Sequence, residues 1–316
     1  MLTRTNLVSR IVFVLWLILA ACETPPKVQY VQREVPTTHL KLKAVLPIES
    51  AVPNLELSGL ALYRDTLYAI CDDHGDMIFR LRVGEDKVVA EPFVRFPAPS
   101  LRPDFEGLDC DSCGNFYIVS ESECRIFFVS HDGAVAKWLM PSFEEAGKAA
   151  GLFQKFNAYP EGLALISPNE FFVAAERSPR GLIRLVRDSL RPEEWGVKKI
   201  YVCDYTAMQL APPRVPDFAG LHYEQGRLFA LARNHDAIVE LSLSQDSVFE
   251  AQCWSYREIA ARDSLQYSDM RFGLAEGLTM SQTNIYVVYD TNGDHRKLSK
   301  DDRRPLLFIF ERPPER

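Results

Sequence analysis

Several signatures of well-defined chemistry are missing from this chain. It has no G-x-S-x-G, and so no hydrolase nucleophile elbow. It has no Walker or G-x-G-x-x-G glycine run to cradle a nucleotide's phosphates. Cys110-Asp-Ser-Cys113 is a C-x-x-C with no second pair, which argues against zinc, and it falls in a strand-turn rather than before a helix, which weakens a redox role; buried thiols or a local disulfide remain. The six histidines are scattered, and His74, His222, His235 and His295 read as surface or loop residues rather than bases. There is no basic run, and the net charge is -7, which argues against nucleic acid. The one long apolar run, 11–20, is short for a bilayer span.

What the chain does contain is a repeat. Ser58-Gly59-Leu60, Glu106-Gly107-Leu108, Glu161-Gly162-Leu163, Ala219-Gly220-Leu221 and Glu276-Gly277-Leu278 place their glycines 48, 55, 58 and 57 residues apart. Pro103-Asp104-Phe105 precedes the second copy just as Pro216-Asp217-Phe218 precedes the fourth. A period of this size implies a propeller, a solenoid or an array. Each copy opens an apolar strand. A turn and a second strand rich in aromatic and β-branched residues follow, as in Phe116 to Val119 and Ile285 to Val288, and then a third. The early repeats add a fourth, Val88 to Phe96 and Ala134 to Leu139. Four short antiparallel strands per repeat make a propeller blade. The expected fold is an all-β propeller, most simply of five four-stranded blades, with six as the alternative. The last repeat stops after its third strand, while Leu40 to Ile48 alternates apolar and charged residues without a blade of its own; that N-terminal strand is expected to close the ring. Ser142 and Ser255 open short helices in the longer connections, and these insertions should all emerge on one face.

Propeller geometry brings the first residue of each xGL copy to the axis. Ser58, Glu106, Glu161, Ala219 and Glu276 should form an inner ring. The polar residues that end the second strands, Asp72, Asp73, Glu121, Glu176, Arg177, Arg233, Asn234, Asp290 and Asn292, should surround it as a ligand or substrate face. Asp104 and Asp217 are read as Asx-type turns at the strand starts, with orientation of the glutamates as the alternative. Three glutamates about 6 Å apart repel by about 3 kcal/mol per pair at an effective dielectric near 20. Protonation, a basic side chain such as Arg177 or Arg233, or a cation would relieve this. The donors are hard oxygens with no His or Cys, which suits calcium first and magnesium second.

The N-terminus carries an export signal: Arg4 and Arg10, the apolar run, then Leu19-Ala20-Ala21-Cys22. It resembles a bacterial lipoprotein signal, which implies removal of 1–21, lipidation of Cys22 and a polar tether over 22–38 before a single domain over 39–316. Glu23, where many bacteria use Asp for inner-membrane retention, favours the outer membrane. The membrane, through that anchor, is the expected partner, with an unidentified small-molecule or protein ligand and a monomeric chain.

The ordered set SGL, DFEGL, YPEGL, DFAGL and AEGL, with FYIVSE, AAERSPRGL and IYVVYD, resembles the SdiA-regulated family of bacterial envelope proteins over about residues 55–295. The order of x residues also resembles the central calcium ligands of five-bladed soluble calcium-activated nucleotidases. By that resemblance Ser58, Glu106, Glu161 and Glu276 are the implied metal ligands, while Ala219 departs from the family's Ser and removes one oxygen. Two functions follow: a calcium-containing propeller that binds an envelope ligand without turnover, or a calcium-dependent phosphoesterase acting on nucleotides or a phytate-like substrate. In the second, Glu121, Glu176 or Asp290 would serve as base and Arg177 or Arg233 would hold phosphate.

Overall fold

The computed structural model describes residues 28–29, 35–203, 205–244 and 248–314. Three strands come before the repeats: β1 (Val28–Gln29), β2 (Thr37–His39) and β3 (Lys41–Ser50). The first repeat is β4 (Leu57–Tyr63), β5 (Thr66–Cys71), β6 (Met77–Val83) and β7 (Val88–Arg95). The second is β8 (Phe105–Cys110), β9 (Phe116–Ser120), β10 (Arg125–Val129) and β11 (Ala136–Trp138), followed by helix α1 (Glu144–Ala150). The third is β12 (Pro160–Ser167), β13 (Glu170–Ala175), β14 (Gly181–Arg187) and β15 (Trp195–Val202). The fourth is β16 (Gly220–Glu224), β17 (Arg227–Ala232), β18 (Ala237–Leu243) and β19 (Val248–Ser255), followed by helix α2 (Arg257–Ala260). The last is β20 (Ala275–Met280), β21 (Asn284–Tyr289) and β22 (Leu306–Glu311).

Within each repeat the strands pair in sequence order, all antiparallel. The first strands pack in a cycle: β4 on β8, β8 on β12, β12 on β16, β16 on β20, and β20 back on β4. The fold is therefore an all-β propeller. The second strands lie between neighbouring sheets, and apolar runs such as FYIVS and EFFVAA are buried along nearly their whole length. The third and fourth repeats also have fourth strands, β15 and β19, which the sequence reading found only in the early repeats. Their runs, WGVKKIYV and VFEAQCWS, are broken by charged and polar residues because an outermost strand is half exposed.

The N-terminal strand closes the ring as expected. β3 pairs antiparallel with β22, Lys41 against Glu311 through Pro47 against Leu306. Its end then pairs parallel with β7, Ile48 to Val88 and Ser50 to Ala90, joining the last and first sheets. The stretch read as a tether is partly ordered on the outer edges. β2 pairs parallel with β19, and β1 with β15. Parallel addition to outermost strands satisfies edge N–H and C=O groups that would otherwise be open. The signal segment and Cys22 lie outside the described residues.

The glycine of each xGL copy has a packing cause. An added methyl carbon on Gly107 would sit 2.5 Å from Leu163 N and 2.6 Å from Glu161 O. On Gly59 it would sit 2.4 Å from Glu106 O, and on Gly277 2.9 Å from Leu60 N. The first strands meet backbone to backbone around the axis, and only hydrogen fits between them. The leucines that follow, Leu60, Leu108, Leu163, Leu221 and Leu278, are all at most 4% exposed; each packs in a different cluster between sheets, and with the glycines they line the axis. About 10 Å³ remains among these glycines and leucines, no more than one water's room.

Gly107→Ala should therefore destabilise the fold by about 1–3 kcal/mol through overpacking. Gly196→Ala on β15, where the new methyl carbon meets nothing within 4 Å, should change stability by less than about 0.5 kcal/mol. Urea midpoints of the two variants check this, and equal midpoints would contradict the close approach of the strands.

Candidate functional site

The x residues sit where their strands break register. The pairing slips between Leu57 and Gly59, Phe105 and Leu108, Pro160 and Leu163, and Ala275 and Gly277. Ala219, the one apolar x residue, has no such slip in its strand pair. A bulge re-aims the side chain at the break. Here it delivers Ser58, Glu106, Glu161 and Glu276 into a cavity of about 650 Å³ at one end of the axis. The Gly–Leu plug closes the inner end, so the cavity is blind.

The insertions wall its mouth as expected. Lys155 and Asn157 come from the segment after α1, Pro213 and Val215 from the segment before β16, Asp269, Phe272, Gly273 and Leu274 from the segment before β20, and Asp294 from the β21–β22 link. Both predicted helices form, but the N-caps are Phe143 and Tyr256 rather than the serines, one residue later than the capping-box pattern places them; Ser142 accepts from Glu144 N at 3.2 Å and Ser255 from Arg257 N at 3.4 Å.

From the predicted outer ring, Asp72, Glu121, Glu176, Arg177, Arg233, Asn234, Asp290 and Asn292 all line this cavity. Asp73 does not. It is exposed, and its backbone N–H donates to Asp72 Oδ1 at 2.7 Å. The structure also places Asp104, expected in an Asx-type turn or as orienting the glutamates, on the cavity wall. Altogether ten carboxyl groups and three basic side chains, Lys155, Arg177 and Arg233, face one blind space.

Arg233 stands at its centre. Nη1 bonds Glu276 Oε1, Nη2 bonds Glu176 Oε1, and Nε donates to Asp217 Oδ2 at 3.0 Å. Glu161 Oε1 lies 3.9 Å from Nη2. One guanidinium thus joins residues of the third, fourth and fifth repeats, and its side chain is only 13% exposed. A basic residue in the channel was one of the three expected reliefs of repulsion. Asp217 is fully buried and does more than shape a turn: its second oxygen accepts from Asn234 N at 3.0 Å, so it fixes both Arg233 and the residue after it. Arg177 is also engaged, with Glu176 Oε2 and with Asn157 O at 2.6 Å.

Asn234 was expected to face a ligand. Its side chain is instead consumed by structure: Nδ2 donates to Val215 O and Oδ1 accepts from Gly273 N, both at 3.0 Å, clasping two wall segments together. Arg214 reinforces that clasp through Asp236 Oδ2 at 3.0 Å and Met270 O at 3.0 Å. His235, read as a surface or loop residue, lies in the turn between β17 and β18 but is buried, and burial first, then neighbouring arginines, push its imidazole down to about 3, so it is neutral.

The carboxyls titrate late. Burial raises Glu161 and Glu276 to about 8, with Arg233 working against the rise. Burial, then the charge of Asp290, raises Asp72 to about 8. Glu121, buried beside Asp104, rises to about 7. Burial and the charges of Glu161 and Glu276 lift Glu106 well above the ordinary range. Glu276 Oε2 is buried with no hydrogen-bond partner. The cavity thus holds more negative charge than Arg233 balances, and it takes up either protons or another cation.

These features define a class: an all-β propeller with a blind, acid-lined axial cavity walled by insertions on one face. The family model described as SdiA-regulated matches residues 100–293, more than half of the chain, and the chain belongs to that family. No curated protein sequence matches it. Among solved structures it is similar to the glutaminyl cyclase of Myxococcus xanthus, with a TM-score of 0.50 and 11% identity over 89% of this chain and 100% of that one. It is also similar to the PQQ-bound aldose sugar dehydrogenase of Streptomyces coelicolor, with a TM-score of 0.46 and 11% identity over 86% and 98% of the two chains. At such identity the likeness to the cyclase is one of fold.

Two outcomes follow. Arg233→Met leaves buried carboxylates uncompensated and should cost about 3–5 kcal/mol at pH 7.5, read from urea midpoints; a loss under about 1 kcal/mol would contradict the central role of the guanidinium. In chelator, the folded state holds protons on Glu161, Glu276 and Asp72 that the unfolded chain releases near 4 to 4.5. Stability should therefore be greatest below that range and fall as pH rises toward 8. Thermal melts at pH 5.5 and 8 check the sign, and a higher melting temperature at pH 8 would contradict it.

Proposed function

We propose that this chain is a lipid-anchored cell-envelope propeller that binds a ligand in its axial cavity through a calcium ion, with magnesium as the second choice, and without turnover. The observation that carries the reading is the charge imbalance of the blind cavity: ten carboxyl groups against three basic side chains, two of which are already paired. Hard oxygen donors without His or Cys suit calcium. The family resemblance implies Ser58, Glu106, Glu161 and Glu276 as its ligands. Ser58 supports this in one respect: it lines the cavity, and its hydroxyl donates to Phe105 O at 2.6 Å, so the oxygen keeps lone pairs to offer. When bound, the ion would offer a Lewis-acidic point for a ligand oxygen. The protein's own residues exclude water through the Gly–Leu plug and hold the carboxylates in place through the bulges and Arg233.

The reading also includes the membrane as partner through Cys22, outer-membrane attachment and a monomeric chain. The alternative, a calcium-dependent phosphoesterase, draws less support. Arg177 and Arg233, the residues that would hold phosphate, are both committed to buried carboxylates. An acidic mouth also repels phosphate esters.

Calcium at about 100 times its Kd should stabilise the protein by about 2.7 kcal/mol, with no turnover of a panel of phosphate esters. Melting temperatures with calcium and with chelator read the first outcome, and phosphate release reads the second. An unchanged melting temperature would remove the cation. Chelator-sensitive phosphate release would instead establish the phosphoesterase.

A further inference from the structure

Large apolar side chains stand exposed around the cavity mouth. Among the described residues they are Leu101 at 99%, Phe156 at 91%, Leu298 at 70%, Phe272 at 47% and Tyr205 at 41% exposure. Each sits on a connection that leaves or enters the cavity end of a strand: Leu101 between β7 and β8, Phe156 between α1 and β12, Tyr205 after β15, Phe272 before β20, and Leu298 in the β21–β22 link. Phe272 lines the cavity, Phe156 stands between the wall residues Lys155 and Asn157, Leu101 comes three residues before Asp104, and Leu298 comes four after Asp294. On the opposite face only Leu190, between β14 and β15, is exposed to a similar degree; Val83 and Val135 are about half covered.

Four of these tips carry a basic neighbour in the chain. Arg102 follows Leu101, Lys155 precedes Phe156, Arg271 precedes Phe272, and Lys297 precedes Leu298. Arg271 and Lys297 share their charge with Asp269 and Asp263, while Arg102 and Lys155 are exposed and, among the described residues, form no ion pair. The tips are single residues on separate connections, with an acid-lined opening between them. A protein partner would find no continuous apolar core there. A bilayer suits such tips, because isolated apolar side chains enter the acyl boundary while long basic side chains stay with the headgroup phosphates. Anionic headgroups complement the unpaired Arg102 and Lys155. The course of the N-terminus agrees: Val28 pairs with Tyr201 near the end of β15, close in the chain to Tyr205. Cys22 stands six residues before Val28, at most about 20 Å of extended chain.

We propose that the rim of the cavity docks on an anionic lipid surface, with Leu101, Phe156, Phe272 and Leu298 entering the interface and Arg102 and Lys155 on the headgroup phosphates. This goes beyond the anchored reading: an acyl chain at Cys22 tethers the protein, whereas the rim orients it. Docked in this way, the cavity opens onto the membrane, and its ligand enters from the bilayer side. The acidic ring does not oppose the contact, because Glu161 and Glu276 are recessed and buried below the rim.

Vesicle flotation tests this with the chain from residue 22 onward carrying Cys22→Ser, so that no acyl chain contributes. That chain keeps every described residue. It should bind vesicles of phosphatidylglycerol and phosphatidylethanolamine at least about tenfold more tightly than vesicles of phosphatidylcholine. Phe156→Ser combined with Leu298→Ser should weaken that binding by at least about tenfold, and Leu190→Ser on the opposite face by less than about twofold. All three side chains are exposed, so melting temperatures should stay equal to that of the parent chain. No binding to the anionic vesicles, no preference for them, or equal losses for the rim pair and Leu190→Ser would overturn the docking rim while leaving the acyl anchor and the cation standing. A dimer in solution that the rim pair dissociates would assign the rim to a second copy of the chain and overturn the lipid contact.

Discussion

Carboxylates brought to one axis repel, and the cavity of this propeller is built around that repulsion. A propeller repeats its blade, so an acidic residue at the first position of several repeats becomes a ring of like charge in a space water enters only from one end. The chain answers part of that repulsion from within. Arg233, itself at the end of a second strand, extends into the ring and engages Glu276, Glu176 and Asp217, with Glu161 close by. The guanidinium suits this place because its planar fork presents several donors at once and stays charged at any physiological pH.

Packing explains why the ring is so tight. The glycine after each x residue lets neighbouring strands approach until a methyl group would collide with backbone atoms. The leucine that follows seals the axis. The same three-residue motif thus does three things: its first residue supplies charge in three of the five copies, its second permits closeness and its third excludes water. Removing water strengthens the electrostatic interactions at the cavity floor, favourable and unfavourable alike.

Much of this was legible in the sequence because repetition is visible there. The five xGL copies fixed the period, the polar ends of the second strands marked the cavity face, and the alternation of Leu40 to Ile48 announced the closing strand. What could not be read was choice among equivalent positions. Glu176 and Arg233 occupy matching places just after the second strands of successive repeats, and Arg177 stands one residue further on, so only Arg233 carries a guanidinium into the ring, where Asp217 accepts from its Nε. Asn234 looked like a ligand group and proved to be a clasp, since its partners, Val215 and Gly273, lie in insertions with no repeat to locate them. The nearness of Asp104 to Asp72 was not legible for a related reason: it arises between blades, whereas turn chemistry is local. The pairing of β2 with β19 depends on edges that no local pattern of Thr37–His39 describes.

The cavity needs positive charge beyond Arg233. The most direct measurement is an anomalous difference map from crystals grown with calcium, collected at long wavelength. The account predicts one strong peak inside the axial cavity, within coordinating distance of carboxylate oxygens that Arg233 does not hold. A cavity containing only water beside Arg233, at calcium concentrations well above millimolar and at neutral pH, would contradict it.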